Sequence, residues 1–247
     1  IPVNDSFMQL SPNPGRNPSQ PTEVRIGFDD NALYVGARLW DAAPDSILHQ
    51  LSERDRTENT DEFGMWFSPF NDGLNAVRFA TTPDGVQIDE QISPNGEDGS
   101  WDAVWDVVCS MDSLGWIAEF RIPWMAFRFP DGDQQLWGMN LYRSIRRFRE
   151  ESVWNPMDPT QQLLNQGGVL MGIEGITPPL RLSLFPYLSA YHNWLGQEAA
   201  QLYNGGLDLK IGLGNAFTMD MTLIPDFGQV VTDNLVLNLT PFEIRFD

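Results

Sequence analysis

Apolar and polar residues alternate over short stretches along most of this chain, and no stretch sustains a helical period over 12 residues. β-prone runs at 22–28 and 33–39 flank Asp29-Asp30-Asn31-Ala32, whose Asp and Asn side chains suit a hairpin turn. Further strands are predicted at 63–68, 76–82, 86–91, 104–110, 116–122, 137–143 and 169–173. Turn chemistry separates them: Asn71-Asp72-Gly73, Pro83-Asp84-Gly85, Pro94-Asn95-Gly96 and Asp131-Gly132-Asp133. Pro123-Trp124-Met125-Ala126-Phe127 predicts a single helical turn opened by proline. Many short strands with regular turns predict an all-β fold, an antiparallel sandwich or barrel.

The pattern divides the chain into a Pro/Asn/Ser-rich leading segment (1–21), a sandwich (22–175) and a tail (180–247) beyond the break at Gly175-Ile176-Thr177-Pro178-Pro179. In the tail, apolar residues hold the odd positions from Leu207 to Leu213, and Phe217, Met219, Met221 and Leu223 alternate with Thr218, Asp220 and Thr222. Leu235, Leu237 and Leu239 continue the period. Strict alternation means additional antiparallel strands with one apolar face. Two environments satisfy it: a soluble sheet lying on a core, or a membrane barrel with lipid outside and a polar lumen. Fewer than six strands fit after Pro179, and closure takes about eight. A barrel therefore requires sequence beyond Asp247. The chain opens on Ile1-Pro2 and stops inside an alternating run, so it reads as a piece of a longer protein.

Charge and composition then remove whole function classes. Against 34 acidic residues stand 15 basic ones, a net charge of −19. A nucleic-acid partner needs cations that displace phosphate counterions, and an anionic membrane surface needs a basic patch. Neither fits. One cysteine, Cys109, excludes a disulfide framework and a Cys-based zinc site. The GxSxG, HExxH, Walker and GxGxxG patterns are all missing, and the two histidines, His49 and His192, lie far apart. Asp61-Glu62 and Glu150-Glu151 are candidate acid pairs, but a glycosidase is defined by a separation across a cleft that sequence does not report. With hard oxygen donors dominant, calcium is the cofactor the composition favours. Asp29, Asp30, Asp61, Asp72, Asp84 and Glu97-Asp98 sit in or beside predicted turns, where bonding to their own backbone is the competing role.

The aromatics are the stronger signal. Trp101-Asp102-Ala103-Val104-Trp105-Asp106 predicts two indoles on one face of a strand. Most of the nine tryptophans are expected in the core. An exposed indole, however, offers a flat apolar platform to a pyranose ring while neighbouring polar groups bond its hydroxyls. The cationic residues are almost all arginine, with Lys210 the one lysine, which fits forked hydrogen bonding.

In order along the chain, Thr22-Glu23-Val24-Arg25, Asp29 to Gly36, Arg54-Asp55, Asp61-Glu62-Phe63, Phe79 to Gly85, Trp101 to Asp106, Gly115 to Glu119 and Ile122-Pro123 resemble family 9 carbohydrate-binding modules over roughly residues 20–175. The resemblance implies an antiparallel β-sandwich that binds sugar without catalysis. In the tail, Asp208-Leu209-Lys210, Leu223 to Val230 and Asn238 to Glu243 resemble a bacterial family of uncharacterised function in which such a module precedes an outer-membrane-type β-barrel. That implies an envelope location, with the module in the periplasm and the tail associated with the outer membrane.

The family clamps a terminal sugar between two tryptophans beside an arginine. By resemblance, Trp154 in Ser152-Val153-Trp154-Asn155 stands at the later tryptophan and Arg78 near the arginine. The region of the earlier tryptophan reads Thr57 to Gly64 with no aromatic before Phe63, and Gly64 holds the family's glutamate position. Trp101 is the candidate replacement, and Asp61 completes the implied carbohydrate-binding set of Trp154, Arg78, Trp101 and Asp61. Two functions follow. One is a non-catalytic module binding oligosaccharide or polysaccharide. The other is a structural or interaction domain, facing an envelope protein partner, that has lost the sugar.

Overall fold

A computed structural model of the chain describes residues 2–223 other than 58, 159, 178, 180, 181, 196, 197 and 214–216. It separates into two compact units, Ile1–Leu180 and Arg181–Asp247. The expected 235–239 alternation and the 224–230 string lie outside the described residues.

The first unit is an antiparallel β-sandwich. Its smaller sheet has the order β2(Thr22–Phe28), β3(Ala32–Trp40), β9(Gly115–Pro123), β8(Asp106–Asp112). The larger runs β1(Met8–Ser11), β11(Glu150–Val153), β10(Gln134–Ile145), β4(Glu62–Ser68), β5(Ala76–Thr81), β6(Gln87–Ser93), β7(Gly96–Asp98), with β12(Gly168–Glu174) paired to the first half of β10. Each expected strand is present, its ends shifted by at most three residues. β1, β7 and β11 lie outside the expected set. They are short, and mostly polar or exposed, and pairing at the sheet margins defines them rather than alternation. The predicted helical turn is a 3₁₀ turn, Trp124–Ala126.

Period-2 side-chain direction explains the core. On β3, Leu33, Val35, Ala37 and Leu39 point inward while Tyr34, Arg38 and Trp40 point out. On β4, Phe63, Met65 and Phe67 face the same interior from the other sheet. Met139 and Leu141 of β10 and Phe79 of β5 join them. Between the sheets lies an aromatic cluster: Trp137 sits 4.9 Å from Phe127, 6.1 Å from Trp124 and 5.7 Å from Phe129, measured between ring centroids. Burying each such ring contributes about 1.5–3 kcal/mol, which is how a fold of short strands closes without disulfides.

The Trp101–Trp105 segment corrects an expectation. It is irregular rather than a strand, since β8 starts only at Asp106. Both indoles still converge, edge-on to Phe79 at 6.0 and 5.4 Å, and Trp105 also stacks on Phe120.

The second unit is an antiparallel meander of β13(Leu182–Leu195), β14(Glu198–Leu213) and β15(Phe217–Leu223). Its register places Leu182, Ile211 and Met219 on one rung and Leu184, Leu209 and Met221 on the next alternate one. That face is apolar, and Leu182, Leu184, Leu188, Met219, Met221 and Leu223 are exposed on it. The opposite face carries Ser183, Lys210 and Asp220 on one rung, with Lys210 Nζ 3.8 Å from Asp220. No closed barrel is present among the described residues.

Candidate functional site

Because β4 is central, its non-core face is available to build on. Glu62, Gly64 and Trp66 alternate with the core residues of that strand, so they share the face turned away from the interior. Strand pairing extends this into a rung across four strands: Asn140 of β10, Trp66 of β4, Arg78 of β5 and Glu90 of β6. The next rung on that face is Tyr142, Gly64 and Ala80. Above these rungs lies a cleft of about 300 Å³, partly open to solvent. Trp66, Arg78, Asn140 and Tyr142 form its floor, and Leu10, Ile92, Glu97, Glu151, Val153, Met157 and Leu163 form its walls.

Arg78 organises the floor. Its Nε donates to the Tyr142 hydroxyl at 2.7 Å, Nη1 to Glu90 at 2.6 Å and Nη2 to Glu62 at 2.5 Å. The Tyr142 hydroxyl in turn donates to Glu62. Burial works against the Arg78 charge, but Tyr142, Glu62 and Glu90 outweigh it and hold the guanidinium above its ordinary value. Burial, with Glu62 beside it, pushes the Tyr142 phenol well up, so it remains a neutral donor. Gly64 is explained by the same network. A Cβ there would lie 2.4 Å from the Tyr142 hydroxyl and 2.6 Å from the Ala80 Cβ. The phenol occupies the space that a side chain at position 64 would need.

Asn140 fixes the far wall. Its Oδ1 accepts from the Asn155 backbone at 2.8 Å, and its Nδ2 donates to the Asn155 carbonyl at 2.9 Å. Glu151 enters from β11, and its carboxylate makes no hydrogen bond or ion pair with a described residue. Burial first, then the charge of Glu62, raises its carboxyl above the usual range.

Of the four residues implied by resemblance, Arg78 lines this cleft; Trp101, Trp154 and Asp61 do not. Parity accounts for Trp154. Val153 pairs with Tyr142 and shares its face, so the next residue turns toward the core, where Trp154 is half-buried. Its ring covers Gly168, where a Cβ would meet Trp154 Cζ3 at 2.3 Å. Trp101 packs beside Phe79 on the core side of β5. Asp61 is fully buried. Its Oδ1 accepts from the Arg146 backbone at 2.9 Å, and Arg143 and Arg147 flank it electrostatically. The residues that sequence reasoning passed over are Trp66, Tyr142 and Asn140, while Glu151 entered it only as half of a candidate acid pair. Trp66 and Arg78 had a readable signal, since both lie on the polar parity of their strands. The loop and edge-strand walls had none.

Asp29 and Asp72, two of the aspartates proposed for calcium, have other partners. Asp29 Oδ1 accepts from the Asn31 and Ala32 backbone, and Asp72 Oδ1 from Leu74 and Asn75. Among the described residues one carboxylate trio, Asp55, Asp89 and Asp102, brings oxygens within 4.8 Å of one another. A cation already sits among them: Arg54 Nη2 donates to Asp89 at 2.5 Å, and its Nε lies 3.3 Å from Asp102. These residues do not fit a hard-cation cage whose oxygens must all be free to ligate.

Comparison with known proteins places the fold. Residues 178–247 match a family described as a domain of unknown function, DUF5916. No curated protein matches. A crystal structure of a protein from Bacteroides uniformis ATCC 8492, described provisionally as carbohydrate-binding, is similar with a TM-score of 0.53 and 16% identity, over 68% of this chain and 86% of that one. A family 9 carbohydrate-binding module from Caldicellulosiruptor kristjanssonii in complex with glucose gives a TM-score of 0.48 and 14% identity, over 72% of this chain and 85% of that one. Its structure with cellotriose gives 0.45 and 15%, over 69% and 82%.

Proposed function

We propose that the first unit is a non-catalytic carbohydrate-binding module whose ligand lies in the cleft over β10, β4, β5 and β6. One observation carries the reading: a concave site of about 300 Å³ sets an apolar lining of Leu10, Ile92, Met157 and Leu163 beside a fixed arginine–carboxylate network, with the buried Trp66 beneath it in the floor. That pairing of apolar faces with a few placed polar groups is what a sugar ring requires. The B. uniformis protein, which shares the fold, is described as carbohydrate-binding, and this supports the same class here. Glu62 is held by Arg78 and Tyr142, so it is a positioned acceptor rather than a proton donor. The resemblance-derived clamp of Trp154 and Trp101 has no part in this reading.

Titration of the chain with neutral and charged oligosaccharides, followed by calorimetry and tryptophan fluorescence, tests the proposal. Saturable binding at about millimolar Kd or better is expected, lost when Leu163→Trp fills the cleft. Binding that survives this substitution, or no binding of any saccharide, overturns it.

We also propose an envelope location, with the meander strands seated in an outer membrane. The support is their exposed apolar face set against one that pairs Lys210 with Asp220 and is polar apart from the β13 aromatics such as Phe185, the division a lipid-facing strand needs. Fractionation of cells producing the natural protein is the check. Recovery in the outer-membrane fraction is expected, and release as a soluble protein refutes it.

A further inference from the structure

We propose that the cleft selects saccharides bearing a protonated amine over neutral or acidic ones. This rests on the carbohydrate-binding reading above and specifies its ligand class. The argument begins from charge. Arg78 is the one cation in the cleft among the described residues, and its guanidinium is shared between Glu62 and Glu90. The network therefore already carries a surplus carboxylate before any ligand arrives. Glu97 and Glu151 add two more on the walls, and neither carboxylate makes a hydrogen bond or an ion pair with a described residue.

Donors are scarce as well. Three of the five N–H groups of Arg78 are engaged within the protein, leaving one on each Nη, while the Tyr142 hydroxyl donates to Glu62 and Asn140 Nδ2 donates to Asn155. What the cleft offers a ligand is acceptor oxygen next to apolar surface. Hydroxyls can donate to it, and an ammonium does so with charge assistance. The raised affinity of Glu151 for a proton expresses the same deficit: burial and the neighbouring Glu62 charge leave that site short of positive charge. An acidic sugar would meet repulsion from three sides with few free donors to offset it.

The net charge of −19 attracts cations everywhere on this protein, so the test must separate the cleft from the general field. The probes are a chitosan trisaccharide, its fully N-acetylated counterpart and cellotriose, titrated into the 247-residue chain at a pH where the amine is protonated. The expected order is the amine-bearing trisaccharide tighter than the other two by about tenfold. Glu151→Gln, close to isosteric, should reduce that preference several-fold. Glu97→Gln should do so more weakly. Glu119→Gln, exposed on the opposite sheet, should do nothing. Equal affinity for the three probes, or a preference untouched by Glu151→Gln and Glu97→Gln, overturns this inference and leaves the sugar-binding reading standing. Failure of all three to bind removes this inference, and failure of the wider oligosaccharide panel removes the sugar-binding reading with it.

Discussion

Arg143 joins the two sheets, and its removal should be among the most damaging single changes in the first unit. It lies on the core parity of β10 and is fully buried. Nη1 donates to the Pro21 carbonyl at 2.9 Å and to Thr22 Oγ1 at 3.3 Å, and Nη2 to the Trp40 carbonyl at 2.9 Å. These acceptors lie at the entrance of β2 and the end of β3, so one guanidinium ties β10 to the smaller sheet. Asp41 lies 4.0 Å away, and Asp61 adds a favourable charge. Burial nonetheless lowers the Arg143 pKa to about 10, so desolvation opposes the pair. Arg143→Met relieves that penalty but removes three charge-assisted hydrogen bonds and strips buried Asp61 of a flanking cation. Breaking a buried pair on one side costs about 3–5 kcal/mol. That is a large part of a total stability of roughly 5–15 kcal/mol. Urea unfolding followed by tryptophan fluorescence should show the midpoint falling by more than about 1 M. Arg143→Lys, which keeps charge without the fork, should fall in between. The depressed pKa also sets a sign. The unfolded chain holds this proton more tightly than the folded one, so the penalty on charged Arg143 is relieved as pH rises through about 10. Arg143→Met should lack this alkaline component. A destabilisation below about 1 kcal/mol would mean that desolvation cancels the hydrogen bonds, and the reasoning fails.

Other consequences are simpler to state. Gly64→Ala forces its Cβ against Tyr142 and Ala80, so thermal melting should report a loss of about 1–3 kcal/mol. Saccharide affinity should fall with it, because the phenol that holds Glu62 must move; an unchanged melting temperature would contradict the packing described. Asp112 is held at about 2, by its hydrogen bonds from Arg38 first and the Leu114 backbone next. Its folded pKa lies below the unfolded value, so its contribution is present above about pH 4 and lost as pH falls through about 2. Arg38→Met should flatten the acid limb of the stability profile in that window, and superimposable acid curves for the two proteins would rule this out.

The alternation of apolar and polar residues was enough to read most strand positions, though not β1, β7, β11 or β13, together with the all-β class and the one-sided polarity of the tail, because side-chain direction in a strand is a local, period-2 property. It also held the inward set of the sandwich, including Phe63, Met65 and Phe67 on β4. What it could not contain was which strand lies beside which. The rung of Asn140, Trp66, Arg78 and Glu90 joins residues up to 74 positions apart, and only register aligns them. Trp154 shows the same limit from the other side. Its neighbour Val153 pairs with Tyr142, and that pairing alone decides that the indole turns inward. A cleft is made of cross-strand neighbours, and cross-strand neighbours exist only after the sheet has formed.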